Sequence, residues 1–375
     1  MAARLSGGQR AGALPPAVLG VWDRLQAAGD TYLVGGAVRD LVLGRTPHDY
    51  DLATALSPDA AQALLGWKEG PGGRFGSLHA PGLPLEVVSL REESGYQDRR
   101  RPDTVRFGAT LEVDLARRDF TVNAMAMRRD GHVIDPYGGR RDLMRRRLAA
   151  VGDPEVRLRE DLLRVLRAYR FSAQLGFRIS TALRATARRL AGELSQVASE
   201  RVGEELWRLL DGPAALSALR RAERDGVLAA AAPWLHPTHP VQDRLARILA
   251  WTHGAQTEAV LAAAERFGWP RAARLALGRA YALRYAVLST PERARWREEL
   301  AAVGGDTAML LVRAGGGARL QAFARMYGRE GVVDRTRLPL RGQELARAHA
   351  TEDREIGRLE REELRRLWRD PRSVL

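Results

Sequence analysis

Apolar positions follow two regimes along the chain. Up to about residue 150 they come in short runs cut by glycine and proline. Thr31-Tyr32-Leu33-Val34, Asp49 to Ala53 and Leu83 to Leu90 (LPLEVVSL) are examples, and they predict strands alternating with short helices. From Val151 the apolar residues recur at three- and four-residue spacing, which predicts helices to the C-terminal end. The pattern is that of an α+β chain, divided at 1–150, 151–215 and 216–375.

The most informative stretch is Leu33 to Asp51, LVGGAVRDLVLGRTPHDYD. A strand, Gly35-Gly36 and a helix follow in that order, which suits a phosphate site. The glycines let backbone approach closely, the helix start aims N–H groups outward, and Arg39 adds charge. If Asp49 to Ala53 is a strand, Asp49 and Asp51 project to one face. Paired carboxylates beside a phosphate cradle point to Mg²⁺ and nucleotidyl transfer. The same pair also reads as a solvated Asp-x-Asp turn, and spacing alone does not choose.

Three further stretches carry chemistry. Glu86 interrupts an apolar strand, where it needs a partner or a metal unless the strand is an edge facing solvent. Arg117-Arg118-Asp119-Phe120-Thr121-Val122-Asn123-Ala124-Met125 opens with a cationic pair, with Phe120, Val122 and Met125 expected to pack inward. On a helix from Glu160 to Phe171, Leu162, Val165, Leu166 and Tyr169 form an apolar stripe, with Arg164, Arg167 and Arg170 opposite. Such a row is either a polyanion surface or an ordinary solvated face. Arg91 to Arg106 is polar and carries Gly95 and Pro102, which predicts an exposed mobile loop.

Composition narrows the partners. The 375 residues carry a formal charge of +14, and Lys68 is the only lysine. An arginine-based positive excess suits phosphate forks and base edges, but it also follows from GC-rich coding, so the charge supports a nucleic-acid partner without deciding it. Cysteine is absent, which excludes disulfides and thiolate metal sites. No stretch reads as a membrane span, and Pro15-Pro16 interrupts the apolar part of the basic N-terminus, so a cytoplasmic enzyme without a signal peptide is expected. His236-Pro237-Thr238-His239 has ligand-like spacing, but its prolines make it a loop.

Gly35-Gly36, twelve residues, then Asp49-x-Asp51 resembles the signature of the polymerase-beta-like nucleotidyltransferases. LVGGAVRD with HDYDLAT is similar to the class II, bacterial-type CCA-adding enzymes and the related bacterial poly(A) polymerases, although His48 stands where Lys or Asn is typical. Arg117 to Ala126 matches that family's most distinctive run, and Glu160-Asp161-x-x-Arg164 its nucleotide-selecting motif. The resemblance covers roughly residues 31 to 205 and fades to general architecture beyond, with a loose likeness at Leu338 to Leu345.

The resemblance implies a mixed-sheet nucleotidyltransferase head followed by an all-α neck, body and tail. It implies Asp49 and Asp51 as Mg²⁺ ligands, Glu86 as the third acid, and Gly35, Gly36, Arg39 and Arg118 on the nucleotide. Asp161 accepts from the exocyclic amino group of cytosine or adenine while Arg164 donates to the neighbouring ring nitrogen. Uracil and guanine offer a carbonyl instead, which leaves a buried carboxylate unpaired. Arg167 and Arg170 become phosphate or ribose contacts, and Ser199 to Glu205 stabilises a neck helix.

The substrates implied are tRNA, CTP and ATP. The run Tyr96-x-Asp98-x-Arg100-Arg101-Pro102 favours a chain able to add A. Full CCA addition and A addition beside a separate CC-adding enzyme both remain. An ATP-selective poly(A) polymerase is the alternative enzyme, and a non-catalytic RNA-binding protein the alternative of another class. The only His-Asp pair, His48-Asp49, lies in the head, so no metal phosphohydrolase domain is expected.

Overall fold

The computed structural model describes residues 14–67, 76–95, 103–252, 256–315, 317–330, 362–366 and 369. The chain divides into two compact units, residues 1–197 with 224–230, and residues 198–223 with 231–375.

The strands of the first unit are β1 (Thr31–Val34), β2 (Tyr50–Thr54), β3 (Ser77–His79), β4 (Leu85–Ser89), β5 (Arg91–Ser94), β6 (Thr104–Phe107), β7 (Ala126–Met127) and β8 (Val133–Ile134). Six of them form one sheet in the order β3-β4-β2-β1-β7-β8. It is a mixed sheet: β2 and β4 run parallel, and the other neighbours are antiparallel. Helices α1 (Pro16–Ala28), α2 (Gly36–Val42), α3 (Pro58–Leu65), α4 (Leu111–Ala116) and α5 (Gly139–Met144) complete the head. Leu33, Val34, Val38, Leu52 and Ala53 are fully buried, as the apolar runs require. Trp22 is fully buried too, and its indole donates to the Thr31 carbonyl at 3.1 Å, tying α1 to β1.

At its described ends the stretch Arg91 to Arg106 departs from the mobile-loop expectation. Its two ends pair as the antiparallel ribbon β5–β6, from Arg91↔Phe107 to Ser94↔Thr104. β5 is polar on both faces, and β6 alternates Val105 and Phe107 with Thr104 and Arg106 over only four residues, too short a run for a hydrophobic pattern to register. What holds the ribbon's inner face is charge: Glu93 accepts from Arg91 at 2.7 Å and from Arg117 at 2.9 Å. Residues 96–102, with the Tyr96 to Pro102 pattern, lie outside the described residues, as does Leu338 to Leu345.

The expected all-α neck contains a strand. β9 (Arg147–Leu148) pairs in parallel with β10 (Arg178–Ile179), around α6 (Pro154–Glu160) and α7 (Leu163–Leu175). The helix anticipated from Glu160 to Phe171 is broken at Asp161, whose φ of −147° is extended. Within α7 the stripe holds, since Leu162, Val165, Leu166 and Tyr169 are all essentially buried. Helix α8 (Thr181–Leu190) closes this region.

Beyond it come α9 (Ser199–Asp211), α10 (Ala215–Arg224), α11 (Val227–Ala231), α12 (Arg244–Trp251), α13 (Thr257–Arg266), α14 (Arg271–Ser289), α15 (Arg293–Val303), α16 (Gly305–Ala314) and α17 (Ala318–Glu330). The second unit is helical as expected. Trp207, Phe267 and Trp269 pack together there, and the Trp269 indole donates to the Gly203 carbonyl at 3.0 Å. A Cβ at Gly203 overlaps Phe267, so α9 can approach this cluster only with glycine at that position. His236 to His239 is a loop, and Arg220 donates to the Pro237 carbonyl within it. Among the described residues no helix is long and apolar enough to cross a membrane.

Candidate active site

β2 begins at Tyr50, so Asp49 stands exposed at its mouth while Asp51 lies within it. Asp51 is in register with Val34 of β1 on one side and with Glu86 of β4 on the other. Register partners on parallel strands share a face, so the two carboxylates stand side by side. Glu86 is not on an edge, because β3 flanks β4. Its Oε1 accepts from the Ser77 hydroxyl, and His79 Nε2 lies 3.8 Å away. Burial, and after it the Glu86 charge, pushes the Asp51 carboxyl up to about 6, against the pull of Arg118.

That crowding fits a divalent cation. Hard oxygen donors are gathered where each negative charge opposes the next, and Mg²⁺ removes the conflict. Among the described residues no three His, Asp or Glu side chains converge to hold a metal by themselves. Mg²⁺ in nucleotide enzymes is commonly held by one or two carboxylates plus substrate phosphates, so the donor set suits a metal that arrives with a nucleotide.

The opposite wall is cationic. Gly35 precedes α2 with φ 70°, and a Cβ placed on it falls 2.8 Å from Arg118 Nη1 and 3.6 Å from Asp51 Oδ2. The guanidinium therefore rests on the glycine turn beside the carboxylate. Arg118 Nη2 donates to Asp114 at 3.2 Å, while its Nε is buried without a partner. Arg117 donates to the same Asp114 through Nε and Nη2. Burial works to raise the Asp114 carboxyl, but the adjacent Arg117 and Arg118 guanidinium groups hold it below the usual carboxylate range. A cleft of about 260 Å³ lies between the walls, lined by Asp51, Ser77, Glu86, Val88, Arg91, Arg117 and Arg118. Carboxylates able to hold a cation thus face guanidinium groups able to hold a polyphosphate.

Arg39 is turned elsewhere. It forks onto Asp40 at 2.9 and 3.0 Å and donates to Asn123 at 2.8 Å, and it does not line the cleft. Gly36 lies beneath the Arg39 guanidinium, 3.5 Å from a Cβ built there.

The neck arginines are also drawn inward, which corrects the expected open row. Arg164 Nη1 reaches Glu160 at 2.5 Å and the Arg157 carbonyl at 2.9 Å, and Nη2 donates to the Arg117 carbonyl at 3.0 Å. Arg167 grips Asp119 Oδ2 at 2.6 and 3.0 Å. Arg170 is buried, donates to Gln174, and lies 3.9 Å over the Phe171 ring. Asp161 accepts from the Leu163 amide at 3.1 Å and so starts α7, with its carbonyl accepting from the Arg164 amide. The structure thus brings Arg164 within one residue of cleft-lining Arg118, though the two are far apart in sequence.

Several groups escaped sequence reading. Asp119 is buried, accepts from Arg167, Asn123 and its neighbour's amide, and is brought down to about 2 by Arg167 although burial opposes this. Asn123 then links it to Arg39. Asp114 had a signal, three and four residues before the arginine pair on a helix. Ser77 and His79 had none, because β3 follows residues that carry only a glycine-rich pattern.

Residues 31–149 match the family model of the poly A polymerase head domain, and residues 176–238 that of the probable RNA and SrmB-binding site of polymerase A. A CCA-adding enzyme of Leuconostoc mesenteroides is 44% identical over 208 residues, covering 55% of this chain and 52% of that one. One from Geobacillus stearothermophilus is 42% identical over 204 residues, covering 54% and 50%. The chain spans about half the length of the curated relatives it matches. The solved CCA-adding enzyme of Bacillus stearothermophilus in complex with CTP superposes with a TM-score of 0.71 at 29% identity, over 95% of this chain and 93% of that one. Residues 31–149 thus carry a poly A polymerase head domain, and the chain is similar to CCA-adding enzymes over its N-terminal half in sequence and over nearly its full length in fold.

A likeness of fold alone extends to the Thermotoga maritima CCA-adding enzyme complexed with tRNA, with TM-score 0.70 and 21% identity over 95% and 93% of the chains. The head-domain match contains both walls of the cleft. The two family models leave residues 150–175 between them, and that interval holds Asp161, Arg164, Arg167 and Arg170.

Proposed function

We propose that the chain is a template-independent tRNA nucleotidyltransferase that adds C, A or both from CTP and ATP to the RNA 3′ end. The observation that carries this reading is the register of Asp51 with Glu86 opposite Arg118 on the Gly35 turn. The carboxylates of Asp49 and Asp51, with Glu86, hold Mg²⁺, which when bound activates the attacking hydroxyl and stabilises the leaving pyrophosphate. Arg118, with its unpartnered Nε, takes the triphosphate or ribose. Gly35 leaves room for that guanidinium to lie against the backbone. Asp161 and Arg164 read the base. For this the Arg164 guanidinium exchanges part of its hold on Glu160 for the ring nitrogen. The setting is the cytoplasm, and the alternative partner is a separate CC-adding enzyme acting on the same tRNA.

Poly(A) polymerase is the second reading, favoured by the head-domain match. The deciding experiment offers tRNAs ending at the discriminator base, at C and at CC, each with CTP, ATP or both. Extension of all three to CCA establishes the complete activity. Extension of the CC-ended tRNA alone establishes an A-adding enzyme, and long A tails on unrelated RNA establish the polymerase. Absence of any incorporation overturns the proposal.

A further inference from the structure

Most arginines described above are held by carboxylates, but one corner of the first unit is not balanced in this way. The stretches 139–148 and 174–181 together carry six arginines and a single carboxylate, Asp142. Asp142 is buried and already occupied, accepting from Thr121 at 2.7 Å and from Arg147 at 2.8 Å. Arg141, Arg145, Arg146 and Arg178 are all exposed, and none has a carboxylate partner among the described residues.

The backbone brings these four residues together. Arg141 and Arg145 are joined by the hydrogen bond from the Arg145 amide to the Arg141 carbonyl. The Arg178 amide donates to the Arg146 carbonyl at 2.9 Å, where β10 meets β9. Arg146 Nη2 reaches to 3.4 Å from a Cβ built on Gly176. Arg146 itself has φ 48°, a conformation that residues other than glycine rarely adopt. In their midst Met144 is 80% exposed, the most open large apolar side chain among the described residues. None of the five lines the cleft.

We propose that this corner, Arg141, Met144, Arg145, Arg146 and Arg178, is a docking surface for the phosphate backbone of RNA. The inference rests on the nucleotidyltransferase reading for its choice of polyanion. Four like charges without internal partners repel one another, and an external polyanion relieves that repulsion while releasing its own counterions. Guanidinium groups grip phosphate through paired N–H donors without reading base sequence. Arg141 and Arg145 rise about 6 Å apart along the helix, on the scale of neighbouring phosphates of a strand. Met144 offers a flexible apolar contact to a ribose or base at their centre. The surface is assembled from elements on either side of α6 and α7, so it spans the joint between head and neck. RNA is thereby engaged in the first unit, and not solely by the basic helices downstream.

The test is tRNA binding across about 50 to 200 mM salt for the wild-type chain, for Arg145→Gln/Arg178→Gln and for Arg145→Lys/Arg178→Lys. The glutamine pair is expected to bind about tenfold more weakly at low salt, with a log–log salt slope shallower by about two. The lysine pair keeps the slope, and CTP or ATP binding, measured in parallel, is unchanged in both. An unaltered slope in the glutamine pair overturns the proposal, as does a loss of affinity with no change of slope. If the glutamine pair shows the shallower slope but the wild type incorporates no nucleotide, the enzymatic reading fails while the docking surface stands. If it extends tRNA while the glutamine pair keeps the wild-type slope, the reverse holds.

Discussion

Asp51 and Glu86 are register partners on parallel strands, and the Asp51 carboxyl is pushed up to about 6 by burial and by that neighbour. Its ordinary value is 3.8, so the folded chain binds this proton more tightly than the unfolded chain. The penalty of the charge is absent below about pH 4, grows through the interval, and is complete above about pH 6. Without divalent cations, Asp51→Asn is therefore expected to stabilise the fold at pH 7.5 by up to about 3 kcal/mol. The gain should vanish near pH 4, and incorporation should be lost. Chemical denaturation at the two pH values checks this, and equal stabilities at pH 7.5 sink the argument.

Ser77 holds Glu86 Oε1 from the neighbouring strand. Removing the hydroxyl frees the carboxylate to rotate away from Asp51. Ser77→Ala should lower the turnover rate by about 10-fold and raise the Mg²⁺ concentration needed for half-maximal rate, while Ser77→Thr restores both. A Ser77→Ala enzyme with an unchanged Mg²⁺ requirement removes the hydroxyl from the site.

Arg167 and Asp119 join the neck helix to the head. Arg167→Ala leaves a buried carboxylate short of its main partner and should cost about 3 kcal/mol in urea unfolding. Because Asp119 is lowered to about 2, the stability it contributes is present above about pH 4 and is lost as pH falls through 2. The variant's stability should therefore depend less on acid than that of the wild type. Parallel acid unfolding curves for the two proteins refute this account.

Gly35→Ala tests the close approach. Its Cβ meets Arg118 at 2.8 Å and the backbone sits at φ 70°, so a destabilisation of about 1–2 kcal/mol is expected. Displacement of Arg118 should also weaken nucleotide binding. Calorimetric titration with CTP or ATP reads that displacement directly, and wild-type affinity would falsify it.

The glycine turn, the strand that carries Asp51 and the buried stripe of α7 were legible, because glycine and apolar periodicity are local signals. Glu86 was legible as a carboxylate in an apolar strand, though its pairing with Asp51 depends on a parallel register that no local pattern reports. The break at Asp161 was hidden, since residues 160 to 171 have continuous helical composition. Arg167 was read as facing outward because Asp119, its partner, lies 48 residues away. The β5–β6 ribbon was missed because β5 is polar on both faces and the alternation of β6 lasts only four residues, which is too little to fix a register.

The parallel pairing of Arg147–Leu148 with Arg178–Ile179 sets where this chain can be cut. A graft that joins a relative's segment at residue 150 separates a strand from its partner and Arg167 from Asp119. The compact unit runs on to Val197, with residues 224–230 added to it. A chimaera between relatives must transplant head and neck as one block, or rebuild both the strand pair and the ion pair at the seam.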